Sequence, residues 1–310
     1  MIEVAAGILA DPQGRVLLMQ RLPGKHLAGL WEFPGGKLEP GETGRQALLR
    51  ELAEELGIEV LTAEPLISLP WHYPEKTVHL HAWRVTAWRG EPHAREGHPL
   101  RWVAVRDMDV ATMPAADAPI VTALRLPPYY VISACPPLPQ VAALLGGEGG
   151  AATPVLWQLR MPETSREDTR RVAQDAWDIH PALRESMLIN HDVELARELG
   201  VGVHLKAAQL HELDARPLPC NAWVGASCHD AEELELAARL GVDFATLSPV
   251  CATASHPDAH PLGWERFAQL AAAARLPVYA LGGVGPDDLA RARAAGAQGV
   301  AGIRAFQICS

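Results

Sequence analysis

The chain is short of cysteine, of positive charge and of long apolar runs, and each shortage removes a class of protein. Its five cysteines (Cys135, Cys220, Cys228, Cys251 and Cys309) are odd in number and widely spaced, with no C-x-x-C pair. That excludes a zinc ribbon and a disulfide framework, and it fits a reducing cytoplasm. Lysine and arginine number 27 against 37 aspartates and glutamates, for a formal net charge of -10. An acidic surface repels a polyphosphate backbone, so nucleic acid is not an expected stable partner. Phosphorylated small molecules stay within reach, provided that a metal or backbone N–H groups supply the attraction. No segment stays apolar for the ~20 residues that a membrane span requires. The opening stretch MIEVAAGILADPQGRVLLMQR is broken by Glu3, Asp11 and Arg15, so it reads as strands and not as a signal peptide.

A chain of 310 residues exceeds what one hydrophobic core usually serves, which predicts two domains. Residues 1–126 are strand-rich around one strong helix, an α+β pattern. Ile2 to Leu9 and Val16 to Gln20 flank the turn Asp11-Pro12-Gln13-Gly14 and read as a hairpin. Leu80 to Trp88 and Leu100 to Val105 read as further strands, and residues 43–56 as a helix stopped by Gly57. In residues 129–310 short apolar runs alternate with helical stretches. Predicted strands are Tyr130–Ala134, Pro154–Arg160, Ser186–Asn190, Gly202–Leu205, Ala222–Ser227, Phe244–Pro249, Val278–Gly283 and Gly299–Ala305. Eight βα repeats suggest a closed α/β barrel of the TIM type. The stiff junction Leu126-Pro127-Pro128-Tyr129 predicts that the halves pack together, and Gly146–Gly150 reads as a mobile loop. The chain stops directly after the eighth strand, so a final covering helix is expected to be missing. The exposed seam would then be covered by the first domain or by a second subunit, as in a homodimer.

Residues 36–58 read GKLEPGETGRQALLRELAEELGI. Glu51, Glu54 and Glu55 stand at i, i+3 and i+4 and share one helical face. Leu48, Leu49, Leu52 and Leu56 form the neighbouring face that would seat the helix. An arbitrary glutamate-rich helix is usually just a solvated acidic face. Three carboxylates crowded beside a buried face make better sense around a hard divalent cation such as magnesium.

The segment matches the signature of the Nudix hydrolases, G-x5-E-x7-R-E-U-x-E-E-x-G-U, at every fixed position: Gly36, Glu42, Arg50, Glu51, Leu52, Glu54, Glu55, Gly57 and Ile58. Over roughly the first 126 residues the chain resembles the MutT-type Nudix hydrolases, which act on 8-oxo-dGTP. The resemblance implies a Nudix fold in which Glu51, Glu54, Glu55 and the carbonyl of Gly35 hold magnesium, with manganese as a substitute. It implies a Glu42–Arg50 ion pair that holds the loop to the helix. Arg21 and His26 fall in a nucleotide-contacting loop. Glu96 matches a distal glutamate that approaches the metals, and either Glu51 or Glu96 would be the general base. Asp117 stands where MutT-type enzymes carry an asparagine that reads the oxidised purine. An ionised carboxylate can only accept there, and an N-cap for a helix starting near Ala118 is an equal alternative.

Residues 129–310 resemble the thiamine-phosphate synthase and TenI barrels through QLR at 158–160, INHDVELA at 189–196, GVHL at 202–205, GASCHDAEEL at 225–234 and ALGGV at 280–284. The resemblance implies a phosphate site made by Gly282, Gly283 and the backbone near Ile303 and Arg304. The synthase pattern is broken elsewhere. Asn190-His191 stands for Asn-Asp, a second acidic ligand after GVHL is missing at Lys206–Gln209, His256 replaces a lysine, and Pro162 follows QLR. Losing those carboxylates removes a metal clamp and argues against thiamine phosphate synthesis. TenI-type tautomerases need no metal and use a histidine, which His229 matches. His191, His204 and His256 fit no metal-ligand spacing.

These resemblances imply hydrolysis of a nucleoside triphosphate, 8-oxo-dGTP first, to the monophosphate and pyrophosphate, which is nucleotide-pool cleansing. The barrel is expected to take a thiazole or pyrimidine phosphate with degenerate or TenI-like function. Hydrolysis of thiamine pyrophosphate or a damaged analogue is the alternative, and a non-catalytic barrel a further one.

Overall fold

The computed structural model describes residues 1–133, 155–253 and 260–306. Gly146–Gly150, His256, Cys135, Cys309 and the end of the chain after Phe306, where the seam was expected, lie outside the described residues, as do the strand-end residues Ala134 and Pro154. The chain divides into two compact units, Met1–Arg125 and Leu126–Ser310.

In the first unit, β1 (Ile2–Leu9), β2 (Arg15–Gln20), β3 (Trp31–Glu32) and β4 (Gly35–Lys37) precede helix α1 (Gly44–Leu56). Then come the long strands β5 (Glu59–Tyr73) and β6 (Lys76–Arg89), then β7 (Leu100–Ala104) and helix α2 (Ala118–Arg125). They make two sheets, ordered β4-β1-β6-β5 and β3-β2-β7. The expected β1–β2 hairpin is thereby corrected. The turn exists, with Asp11 N–H donating to Arg15 O and Gly14 N–H to Asp11 O. Beyond the single bridge Ala10–Val16, however, the strands part into different sheets. β1 needs antiparallel β4 on one edge and parallel β6 on the other, so no edge is left for β2.

α1 begins where Thr43 and Gln46 cap one another: Gln46 N–H donates to Thr43 Oγ1 and Thr43 N–H to Gln46 Oε1. It ends at Gly57, left-handed at φ 67°, whose N–H donates to Ala53 O. Ala47, Leu48, Leu52 and Leu56 are fully buried against Ala5, Leu9 and Leu17, each leucine contributing about 1.5–3 kcal/mol. Leu49, expected among them, lies only partly buried at the margin of this cluster. Ile120 and Val121 of α2 belong to a second cluster with Ile8, Leu18 and Leu80. β5 is absent from the sequence-based expectation because Pro65 and Pro70 interrupt its apolar pattern. It lies at a sheet edge, where proline is tolerated.

The second unit is the expected parallel barrel of eight strands: β8 (Tyr129–Ser133), β9 (Val155–Leu159), β10 (Met187–Asn190), β11 (Gly202–Leu205), β12 (Val224–Cys228), β13 (Phe244–Leu247), β14 (Val278–Leu281) and β15 (Gly299–Gly302). β15 closes on β8 through Ala301 and Tyr130. Helices α3 (Arg166–Ile179), α4 (Leu183–Ser186), α5 (Val193–Leu199), α6 (Gln209–Glu212), α7 (Ala231–Leu240), α8 (Gly263–Ala273) and α9 (Leu289–Ala294) follow the strands. Among the described residues only a short 3-10 turn, Arg304–Phe306, follows β15. Tyr130, Leu188, Phe244 and Tyr279 fill the barrel interior, which makes it a packed core with its working face at the strand ends. The junction is bonded into this barrel, since Pro127 O accepts from Tyr279 Oη and Leu126 O from Gln298 Nε2.

Candidate functional site

The first site is built by β4 crossing beside α1. Gly35 holds φ at 144°, and a Cβ there would run into the Ala5 carbonyl. At Gly36 a Cβ would collide with the Glu51 carboxylate. At Gly35 the backbone angle and the Ala5 carbonyl admit only glycine, whereas at Gly36 a side chain would displace the Glu51 carboxylate. Gly35 N–H donates to Glu55 Oε2 at 2.9 Å. Arg50 locks the loop to the helix: Nε and Nη2 donate to the two Glu42 oxygens at 2.8 and 2.9 Å, and Nη2 also donates to Lys37 O at 3.0 Å. Its Nη1 donates to Glu51 Oε1 at 2.9 Å and Glu54 Oε2 at 3.2 Å. The Arg50 guanidinium and the Glu39 N–H hold the Glu42 carboxyl down at about 2.

Burial pushes the Glu55 carboxyl up to about 8. The Gly35 N–H opposes this, and the neighbouring Glu51, Glu32 and Glu96 carboxylates reinforce it. The fold thus brings Glu51, Glu55 and Glu96 into one field, joined by Glu32, which sequence reasoning passed over. Glu54 is more exposed and is held by Arg50. Glu96 lies 3.3 Å from His98 Nε2. A half-buried set of carboxylate oxygens with too few cations fits a hard divalent ion.

Beside this cluster lies a group of side chains of different character. Arg21 pairs with Glu32 and donates through Nε to His26 O at 2.6 Å. The His26 ring sits edge-on to Tyr73 at 6.2 Å, and its Nε2 lies 3.6 Å from Glu75. Asp117 is buried, and its Oδ2 has no hydrogen-bond partner. Burial drives its carboxyl well above the usual range; Glu32 adds to the shift and Arg21 opposes it. A protonated carboxyl offers one donor and one acceptor and an ionised one only acceptors, so burial here favours the form that can also donate. The N-cap alternative fails. Asp117 ends a 3-10 turn, Ala115–Asp117, that runs straight into α2, and its own N–H donates to Pro114 O. Tyr73, near both Asp117 and Arg21, went unnoticed because β5 did.

In the barrel a cavity of about 1320 Å³ opens at the strand ends, and Gly282, Gly283, Ile303, Arg304 and His229 all line it. Gly282 and Gly283 both hold positive φ, at 94° and 68°, and so turn the backbone into the cavity. His229 lies just past β12, half-exposed, with Nδ1 2.9 Å from Glu233 Oε2. Sequence reasoning missed Arg160 and Lys206, which also line the cavity; a cation just past a barrel strand was the available signal. No carboxylate is among the described lining residues. His204 is a satisfied core residue, 3.0 Å from Tyr130 Oη and 3.0 Å from Ser227 Oγ, and burial holds it down at about 3.

A family model for the NUDIX domain matches residues 5–123, and one for thiamine monophosphate synthase matches residues 141–306. An 8-oxo-dGTP diphosphatase of Haemophilus influenzae is 43% identical over 121 residues, covering 39% of this chain and 89% of its own. A CTP pyrophosphohydrolase of Escherichia coli is 43% identical over 123 residues, covering 40% and 90%. A putative thiamine-phosphate synthase 2 of Aquifex aeolicus is 33% identical over 151 residues, covering 48% and 81%.

Proposed function

The chain belongs to the Nudix family through residues 5–123 and to the thiamine monophosphate synthase family through residues 141–306, and on that premise we propose that its N-terminal domain, a pyrophosphohydrolase, converts 8-oxo-dGTP to the monophosphate and pyrophosphate. The observation that carries this is Glu55, buried among the Glu51, Glu32 and Glu96 carboxylates and against the Gly35 N–H. Glu51, Glu54, Glu55, Glu96 and the Gly35 carbonyl would hold magnesium, or manganese in its place. When bound, the cation neutralises polyphosphate and acidifies a water. Glu51 or Glu96 takes the proton of the water that attacks the β-phosphorus. Arg50 and Glu42 keep the loop seated.

Arg21, His26 and Asp117 take the nucleoside end. Guanine presents two acceptors, N7 and O6, on this edge, whereas 8-oxoguanine carries a hydrogen on N7. A protonated Asp117 carboxyl, the form that burial favours, would match the oxidised edge with one donor and one acceptor. A hydrolysis panel of 8-oxo-dGTP, dGTP, CTP and thiamine pyrophosphate tests the reading. The expected order puts 8-oxo-dGTP first, and Glu54→Gln abolishes turnover without unfolding the protein. Faster turnover of CTP or dGTP would overturn the choice of base.

Fusion to the barrel favours a second reading, hydrolysis of thiamine pyrophosphate or a damaged analogue, which the same panel decides. The barrel cavity, with Arg160, Lys206 and Arg304 and no described carboxylate, suits a thiazole or pyrimidine phosphate without metal. Gly282, Gly283 and the backbone at Ile303 and Arg304 would take the phosphate, and His229 would move a proton in a TenI-type tautomerisation. Titration of the full chain with thiazole phosphate, with and without a chelator, separates an occupied barrel from a purely structural one. Among the described residues no helix is long and apolar enough to cross a membrane. Cytoplasmic residence and a homodimer belong to the same reading.

A further inference from the structure

One group of side chains takes no part in either site. His79 and His81 stand two residues apart on β6 and so face the same side of the sheet. Glu3 on neighbouring β1 is in register with His79. Glu3 Oε2 lies 2.6 Å from His81 Nε2 and 3.6 Å from His79 Nδ1. Among the described residues this is the only set of three or more His, Cys, Asp or Glu side chains whose ligand atoms all lie within 4.8 Å of one another.

A second feature sets it apart from a chance His–Glu contact. Ser68 Oγ on β5 lies 3.0 Å from His79 Nε2 and 3.0 Å from His81 Nδ1. One hydroxyl therefore engages the outward nitrogen of both rings and leaves their other nitrogens turned to Glu3. Metal-ligating imidazoles are commonly oriented this way by a partner on the far nitrogen. The rings stack at 4.6 Å, and all three side chains are half-buried.

We propose that Glu3, His79 and His81 form a binding site for a borderline divalent cation of the zinc class, with Ser68 as the positioning residue. Two imidazoles and a carboxylate match zinc and its transition-metal neighbours, whereas magnesium prefers an all-oxygen set. Three protein ligands leave a fourth position to water. The site is distinct from the carboxylate cluster. His81 lies against the first residue of α1, where a Cβ on Gly44 would be 3.5 Å away. Glu51 is seven residues further along, about 10 Å at 1.5 Å per residue. A cation here ties β1 to β6 beside the start of α1.

The test is equilibrium dialysis of the full chain against zinc with magnesium in large excess to occupy the oxygen site. The expected result is one zinc retained per chain by the wild type and none by the His79→Gln/His81→Gln double variant, with magnesium-supported hydrolysis unchanged. Glu3→Gln, which keeps both imidazoles, is expected to weaken zinc at least about tenfold, no less than the loss of an outer-shell partner costs. Cobalt(II) in place of zinc gives visible absorption bands that the double variant lacks. Zinc retention unaffected by these substitutions, or none in the wild type, overturns the site. Neither result bears on the hydrolase reading, which the magnesium assay reports separately.

Discussion

The backbone N–H of Gly35 and the carboxylate of Glu55 are 2.9 Å apart, so the loop that carries the glycines is bonded directly to the helix that carries the acids. This single hydrogen bond sets how near the strand passes to the carboxylate cluster. It requires a backbone angle that side chains with a Cβ rarely adopt.

Gly35→Ala is therefore expected to cost about 1–3 kcal/mol of stability from backbone strain alone, with a further loss from the clash with the Ala5 carbonyl. Hydrolytic kcat/KM should fall at least about 100-fold, since misplacement near 1 Å has that effect. Thermal unfolding and turnover measured on one preparation check both parts. A variant with normal turnover removes the close approach from the mechanism.

Arg50→Lys keeps the charge and removes the fork that spans Glu42, Glu51 and Glu54. Lysine cannot reproduce a bidentate pair with Glu42. We expect a destabilisation of about 1–3 kcal/mol, the range for hydrogen bonds to charged groups, and a lower kcat. Urea unfolding with steady-state kinetics reads these, and a silent substitution would mean the loop is held by other contacts.

Asp117 separates two chemical ideas. Asp117→Asn retains a donor and an acceptor, so the preference for 8-oxo-dGTP over dGTP should stay within about threefold. Asp117→Ala leaves the base edge unpaired and should reduce that preference by about 10–100-fold. Equal effects from the two variants would show that size, not hydrogen bonding, matters there.

His204 makes barrel stability depend on pH. Its folded pKa is held at about 3 by burial, against an ordinary 6.5. Between these values the unfolded chain binds a proton that the folded chain does not. Stability is therefore fully present above about pH 6.5 and is lost as pH falls, at up to about 1.4 kcal/mol per pH unit. His204→Gln should flatten that slope. Hydrogen exchange of barrel-strand peptides at about pH 5 and about pH 7, corrected for intrinsic rates, measures it.

Much of this was legible from sequence for a physical reason. The α1 segment carries its own stop signal, Gly57, and its burial pattern, so local chemistry and tertiary packing agree. Several barrel strands are short apolar runs such as Val278–Leu281, because both their faces are buried. β5 was not legible, since Pro65 and Pro70 mask a strand that only an edge position permits. Nor was the division of β1 from β2, because sheet partners are set by contacts distant in sequence. Glu32 and Tyr73 acquire meaning only beside Arg21 and Asp117, and Glu3 only beside His79 and His81. The upward push on the Asp117 carboxyl likewise follows from its burial and not from its identity.

Glu32 sits on the two-residue strand β3, paired with Arg21 on one side and within the field of Glu55 on the other. On the proposed function, selection at the base and cleavage at the phosphates would share one carboxylate. A nucleobase that draws Arg21 away from Glu32 would add negative potential where the acids gather, so an event at the base would be felt at the carboxylates that would hold the cation.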